Sequence, residues 1–256
     1  MSLDFAPAPG AAPTRQRIVR HATLETLMLV RNGEQLLLAL VIPAAVLLVG
    51  RWFPSRLGVD FTLLVPSVLG LALFSTGFTS VAIGTGFDRR YGVLERLAST
   101  PLGRTGMVIG KASASVVVSL AQVVLLVSLS LALGWRPRLD ALGLLLAVPT
   151  MLAAQASFVA AALVMASLLR AEITLALANL VYLALAAGGA LVVPAGSYGF
   201  LEPAVRCLPT AALGEGLRQG LADAPASGGW WVPLVVALVW AVAAVLLARK
   251  VMRWTS

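Results

Sequence analysis

Six long apolar stretches, separated by short polar segments, constrain the fold of this chain more than any other feature. A helix needs about 20 predominantly apolar residues to cross the hydrocarbon core of a bilayer. Lipid offers no hydrogen-bond partners, so a spanning segment must satisfy its backbone groups within itself. The sequence therefore predicts an all-α membrane protein with six transmembrane helices. The six predicted spans are 35–52, 61–87, 105–133, 139–169, 173–193 and 230–248.

Composition agrees with a membrane class. Of the 256 residues, 59% are hydrophobic and only 12% are charged, whereas a soluble domain carries roughly 25% charge. The formal net charge of +8 is not accompanied by the aromatic-rich basic surface of a nucleic-acid reader, so we expect no nucleic-acid partner. Cys207 is the only cysteine and His21 the only histidine, which excludes an internal disulfide and argues against a metal site.

The distribution of basic residues predicts the orientation of the chain. With six spans, 13 of the 19 Lys and Arg residues fall on the side that holds both termini, and 6 fall on the other side. Cytoplasmic loops carry the excess of Lys and Arg, so both termini are expected in the cytoplasm. The abundance of Ala, Gly and Arg is typical of a high-GC genome and indicates a bacterial cytoplasmic (inner) membrane.

The N-terminal region precedes the first span and reads as two segments. Residues 1–13 are rich in Pro and Ala and are expected to be a disordered tail. Residues 14–34 predict a cytoplasmic amphipathic helix that lies on the membrane surface. Its apolar side comprises Ile18, Val19, Ala22 and Leu29. Glu25 and Thr26 interrupt that side.

Two polar connections are long enough to hold helices of their own. The connection between the second and third spans predicts a short helix at about 91–99, with Leu94 and Leu97 on one face. Gly92 and Pro101 bracket it, since glycine is unfavourable inside a helix and the residue before proline avoids the α region. The connection before the last span predicts short extracytoplasmic helices within about 194–229.

The sequence contains no complete phosphate-binding loop of the kind that an ATPase needs. The nearest approach to a phosphate-binding loop, around Gly110-Lys111, has Thr105 and Ala112 where the motif requires Gly and Ser or Thr. No acidic residue lies near the centre of a predicted span, and Lys111 is expected to reach water at a cytoplasmic end. We therefore predict a non-enzymatic chain whose energy source lies outside it.

Uncharged polar residues inside the spans allow two interpretations. They include Thr76, Thr79 and Ser80 in the second span and Asn179 in the fifth. These side chains are suited to line a substrate pathway. Small and hydroxyl residues equally promote close packing of membrane helices, and the spacing alone leaves both interpretations open.

Two motifs resemble a known family. RYGVLERLASTPLGR at residues 90–104, followed by Gly110-Lys111, resembles the segment after the second span of ABC transporter permeases of the type-2 exporter family. Glu215-Gly216-Leu217-Arg218, preceded by Leu208-Pro209, is similar to the segment before the last span of these permeases. The resemblance implies an exporter whose substrate is a drug, a lipid or a polysaccharide.

The resemblance implies a transport subunit that works in a larger assembly. It implies a second permease copy or paralogue, and a separate cytoplasmic ABC ATPase that binds ATP and Mg²⁺, with no cofactor bound by this chain. The loop helix would be the coupling helix that docks on the ATPase. The residues assigned to coupling are Tyr91, Leu94, Glu95, Arg96, Leu97 and Pro101.

The resemblance also implies where a substrate passes. A pathway at the dimer interface, lined by the second and fifth spans, would use Thr76, Thr79, Ser80 and Asn179. The apolar spans favour a hydrophobic or amphipathic cargo, such as a drug, a lipid or an envelope precursor. The alternative hypotheses are a non-transport membrane scaffold or sensor, and an ion-coupled carrier.

Overall fold

The computed structural model describes residues 10–31, 33–53, 60–137, 139, 141–222 and 229–251. All regular secondary structure in these residues is helical, which confirms the predicted all-α class. Most of the predicted tail lies outside the described residues, and residues 10–13 form no regular structure.

The described residues form ten α-helices, which are numbered in chain order. They are α1 (Thr14–Arg31), α2 (Gly33–Trp52), α3 (Phe61–Arg90), α4 (Val93–Ala98), α5 (Gly103–Ala132), α6 (Ala141–Leu168), α7 (Ala171–Gly188), α8 (Glu202–Arg206), α9 (Pro209–Ala222) and α10 (Val232–Val251). A π-helical turn, Ser75–Ser80, interrupts α3, and a 3₁₀ helix, Ala195–Leu201, precedes α8.

Five of these helices, α3, α5, α6, α7 and α10, are long and apolar enough to cross a membrane, so the protein is multi-pass. The first predicted span coincides with α2, in which Ala39–Trp52 forms a shorter apolar helix. The count of six spans therefore stays a prediction.

Helices α3 and α6 form the centre of the bundle. In the most apolar 18-residue stretch of each helix, 72% of α3 and 61% of α6 is buried inside the protein, compared with 17% of α7 and 22% of α10. Consecutive long helices run in opposite directions, so the connections between them lie at two ends of the bundle. One end, the α4 end, carries α1, α4 and the connection from α6 to α7. The other, the α9 end, carries α8 and α9.

The fifth predicted span is shorter than expected. It was predicted to reach residue 193, but α7 ends at Gly188. Ala190 adopts a positive φ of 55°, which a residue with a side chain rarely adopts. The carbonyl groups of Ala190 and Leu191 accept hydrogen bonds from Arg218. A side chain distant in sequence thus satisfies backbone groups that a longer helix would have used.

Candidate functional site

A cavity of about 710 Å³ lies between α2, α3 and α7. Its lining residues are Ala39, Ile42, Pro43, Val46, Val68, Leu71, Ala72, Ser75, Thr79, Ser80, Ile83, Leu175, Asn179, Tyr182 and Leu183. None of these is Asp, Glu, Lys, Arg or His. Burying an isolated charge costs far more than burying a hydroxyl or amide group, so this lining suits an uncharged or apolar group.

The polar part of the cavity comes mainly from the π-helical turn of α3. This turn supplies Ser75, Thr79 and Ser80, and α7 supplies Asn179 and Tyr182. The Thr79 hydroxyl is buried and has no hydrogen-bond partner among the described residues. Single π-helical turns inside α-helices occur frequently at functional sites. Three of the four predicted pathway residues therefore share one cavity.

The fourth predicted pathway residue, Thr76, does not line this cavity. Its hydroxyl donates to Oε1 of Gln122 at 2.8 Å, and Gln122 Nε2 donates to the carbonyl of Ala39. Thr76 thereby links α3 to α5 and, through Gln122, to α2. Helix packing, the second interpretation of the polar residues, accounts for Thr76.

The opposite side of the π-helical turn is closely packed. Gly77 faces Gln155 of α6, and a Cβ at residue 77 would lie 2.8 Å from the side-chain amide. Gln155 Nε2 donates to Ser115 Oγ at 3.1 Å and to Ser119 Oγ at 2.8 Å on α5. The turn is thus held on its buried side while its other side faces the cavity.

Helix α4 lies at the opposite end from α9 and exposes a polar surface. Leu94 is buried against Met107 of α5, so its side chain is used within the chain. Tyr91, Glu95 and Arg96 are exposed. The preceding Gly92 has φ 68°, a left-handed conformation that favours glycine. Of the remaining predicted coupling residues, Pro101 is exposed and Leu97 is half-buried.

Two arginine side chains at the end of α3, just before α4, bind the neighbouring helices. Arg89 Nη1 donates to the carbonyl of Ser167 at 2.6 Å, near the C-terminus of α6, where a positive charge is favourable. Arg90 pairs with Glu172 at the start of α7. These residues border a cleft of about 530 Å³ beside α4. The loop carrying α4 is thus fastened to α6 and α7.

A buried charge cluster beneath α1 was not predicted. Lys111 Nζ lies 2.8 Å from Glu25 Oε1 on α1 and 2.6 Å from Asp88 Oδ2 on α3. The Lys111 side chain is only 7% exposed, so the expectation that it reaches water is wrong. One feature of the sequence could have indicated this cluster: Glu25 interrupts the apolar side of α1, and its buried carboxylate pairs with Lys111.

His21 completes this cluster. Its side chain is buried beside Glu25, with Nε2 3.5 Å from Glu25 Oε1. Burial lowers the pKa of His21 below 6.5, and the nearby positive charge of Lys111 lowers it further, while Glu25 and Asp88 oppose these effects. Val19, predicted on the apolar side of α1, is exposed, so its predicted contact with the membrane surface stays a prediction.

A second buried ion pair lies at the α9 end. Arg218 is 1% exposed, and its Nη2 lies 3.2 Å from Glu215 Oε1. Glu215 Oε1 also accepts from the backbone N–H of Ala195 at 2.9 Å. Gly216 and Gly220 bring α9 against α6, where a Cβ at residue 216 would meet Thr150 at 2.9 Å. The second sequence motif is therefore a packing and charge-pairing motif in the bundle.

These features define a multi-pass helical membrane protein with an uncharged cavity between its helices and an exposed loop helix at one end. Comparison of the sequence with protein families gives a match to the ABC-2 type transporter family over residues 21–222. The match covers most of the chain, and the chain belongs to this family. It confirms the resemblance drawn from the two motifs. No curated protein sequence matches the chain.

Proposed function

We propose that this protein is the permease subunit of an ATP-driven exporter in a bacterial cytoplasmic membrane, with both termini in the cytoplasm. Its family membership carries the proposal. In this proposal a separate ABC ATPase holds the ATP and Mg²⁺, because the nearest approach to a phosphate-binding loop in this chain has Thr105 and Ala112 where the loop requires Gly and Ser or Thr.

In this proposal α4 is the coupling helix that docks on the ATPase. The exposed Tyr91, Glu95, Arg96 and Pro101 provide its docking surface. Leu94 acts differently, because its contact with Met107 fixes α4 to α5. Leu97 packs at the edge of the same contact. A short helix fixed to two long helices can transmit movement of an attached ATPase into the bundle.

The cavity lined by Thr79, Ser80 and Asn179 is the proposed substrate pathway. Its uncharged lining favours the apolar or neutral part of an amphipathic cargo. Helix α7 forms one wall of the cavity and is largely exposed in a single copy of the chain. A second permease copy or a paralogue packed on this side would close the pathway, with lipid covering the remaining apolar surface.

Co-purification with an ATPase subunit tests the proposal. The permease is expressed in its own host at native level, extracted into lipid nanodiscs and analysed for associated proteins and ATP hydrolysis. We expect recovery with an ABC ATPase whose turnover changes when the permease is present. Recovery of the chain without an ATPase, together with no effect on ATP hydrolysis, would contradict the proposal.

An ion-coupled carrier is the alternative mechanism. Such carriers use ionisable residues in the pathway, whereas the residues lining the described cavity include no acidic or basic side chain. Transport in sealed vesicles without ATP, driven by an imposed proton or sodium gradient, would favour the carrier. Dependence on ATP with no effect of either gradient would favour the permease.

A further inference from the structure

Helix α1 lies unusually close to the start of α5. Gly106 and Gly110 are four residues apart on α5, a spacing that lets two membrane helices approach closely. A Cβ at residue 110 would lie 2.3 Å from Cδ2 of the His21 ring on α1, which is too close to be tolerated, whereas a Cβ at residue 106 would make an ordinary contact with Ile18 Cγ1 at 3.5 Å. Gly110 therefore leaves room for α1, and the next residue, Lys111, binds it.

The charges at this contact join three helices. Glu25 belongs to α1, Asp88 to the last turn of α3, and Lys111 to α5. Lys111 approaches both carboxylates within 2.9 Å. Lys111 thus pairs with two carboxylates, one on α1 and one on α3. If Glu25 lost its charge, Lys111 would keep Asp88 as its counter-ion, but the ion pair that ties α1 to α5 would be gone.

This cluster lies on both sides of the loop that carries α4. Asp88 precedes α4 in the chain and Lys111 follows it, so the two ends of the loop meet at one ammonium group. Leu94 of α4 packs on Met107, one helical turn before Lys111. Helices α1 and α4 therefore rest on the same turns of α5.

We propose that α1 is a positioning element for the coupling loop: the Glu25–Lys111–Asp88 cluster joins α1, the end of α3 and the start of α5 into one rigid support for α4. The inference rests on the proposed coupling role of α4. It assigns a role in energy transmission to Glu25, Asp88, Lys111 and Gly110, none of which touches the docking surface.

The first test measures the attachment of α1 without using transport. Amide hydrogen exchange is recorded for the full chain in nanodiscs, as wild type and as Glu25→Gln. We expect exchange across 14–31 to rise about tenfold or more, because α1 loses its ion pair with Lys111 and opens locally more often. Glu202→Gln, which removes a carboxylate paired with Arg206 at the α9 end, should leave α1 unchanged.

A second variant disturbs the same contact without removing a charge. Gly110→Ala introduces a Cβ into the His21 ring and should raise exchange in α1 in the same way. Gly84→Ala is the matched control, because a Cβ at residue 84 would meet nothing within 4 Å. Exchange in α1 that stays at the wild-type rate in both Glu25→Gln and Gly110→Ala would overturn the proposal.

The second test asks whether the support transmits energy. In proteoliposomes with the co-purified ATPase, Glu25→Gln should retain the bound ATPase and its basal ATP hydrolysis while transport per ATP falls about tenfold. Unchanged transport per ATP, combined with a loosened α1, would overturn the positioning role. If no ATPase binds the wild-type protein, the proposed function fails instead, and the exchange experiment still decides whether the cluster holds α1.

Discussion

Arg218 is the most deeply buried basic residue among the described parts of the chain. Its guanidinium is held by Glu215, by the carbonyls of Ala190 and Leu191, and by Ser67. Arginine suits such a position because its planar head donates several hydrogen bonds in fixed directions. One residue therefore connects α9, the segment after α7 and the first half of α3.

Removal of the Arg218 side chain should strongly destabilise the protein. Arg218→Ala leaves Glu215 buried without its counter-ion, and loss of one partner of such a pair costs about 3 to 5 kcal/mol. Thermal unfolding in nanodiscs measures the effect. Arg206→Ala, which removes a more exposed partner of Glu202, should cost about 1 kcal/mol or less. Equal melting temperatures for the two variants would show that Arg218 is not a structural anchor.

His21 should make stability depend on pH. The pKa of His21 is lower in the folded protein than in the unfolded chain, so the unfolded chain binds more protons below about pH 6.5. Stability is then complete above this pH and is lost as the pH falls. Acidification from about pH 7.5 to about 5.5 should lower the melting temperature of wild type more than that of His21→Gln. An identical decrease in both would contradict the assignment.

Single residues were predicted unevenly, for a physical reason. In the topology prediction, every Lys and Arg was assumed to be an exposed charge that marks the cytoplasmic side. Arg90 and Arg96 are indeed exposed. The assumption fails for Lys111 and Arg218, whose roles depend on buried carboxylates. Sequence spacing cannot show that Glu25 and Lys111 meet across 86 residues.

At the scale of elements, the long helices were predictable because hydrophobicity over about 20 residues is a strong signal. The end of α7 was not, because it depends on Arg218. The π-helical turn of α3 was also not predicted, since its sequence has no distinctive periodicity. Two of its hydroxyl residues that were assigned to a substrate pathway, Thr79 and Ser80, line the cavity. Their role in transport stays a prediction.

The cavity should respond to a change on α7. Asn179→Leu removes an amide from the lining and should lower the apparent affinity for a transported amphipathic dye about tenfold, because the polar part of the cargo loses a hydrogen-bond partner. ATP-dependent dye movement in inverted vesicles provides the measurement. Leu180→Ala changes the next residue, which is exposed and outside the cavity lining, and should have little effect. Similar kinetics for Asn179→Leu and wild type would place the pathway elsewhere.

At the scale of the whole molecule, the excess of Lys and Arg predicts that the α4 end faces the cytoplasm and the α9 end faces outward. Cys207 tests this without any substitution. It is the only cysteine of the chain, is exposed, and lies between α8 and α9 at the α9 end. A membrane-impermeant maleimide should label it in intact spheroplasts.

The control for this labelling reverses the position of the thiol. Ser99 is exposed directly after α4, so Ser99→Cys combined with Cys207→Ser should be labelled only after the membrane is opened. The predicted orientation would be inverted if the Ser99→Cys variant were labelled in intact spheroplasts and wild-type Cys207 were not.

ATP-driven transport by a variant of the α4 surface tests the central claim most directly. Glu95→Ala with Arg96→Ala removes two exposed charges from α4 and leaves the packing of Leu94 intact. In proteoliposomes containing the ATPase, we predict that transport falls at least about tenfold while insertion and Cys207 labelling are unchanged. The paired control, Glu202→Ala with Arg206→Ala at the α9 end, should transport at the wild-type rate. Wild-type transport by the correctly inserted α4 variant would contradict the claim that an external ATPase acts through this helix.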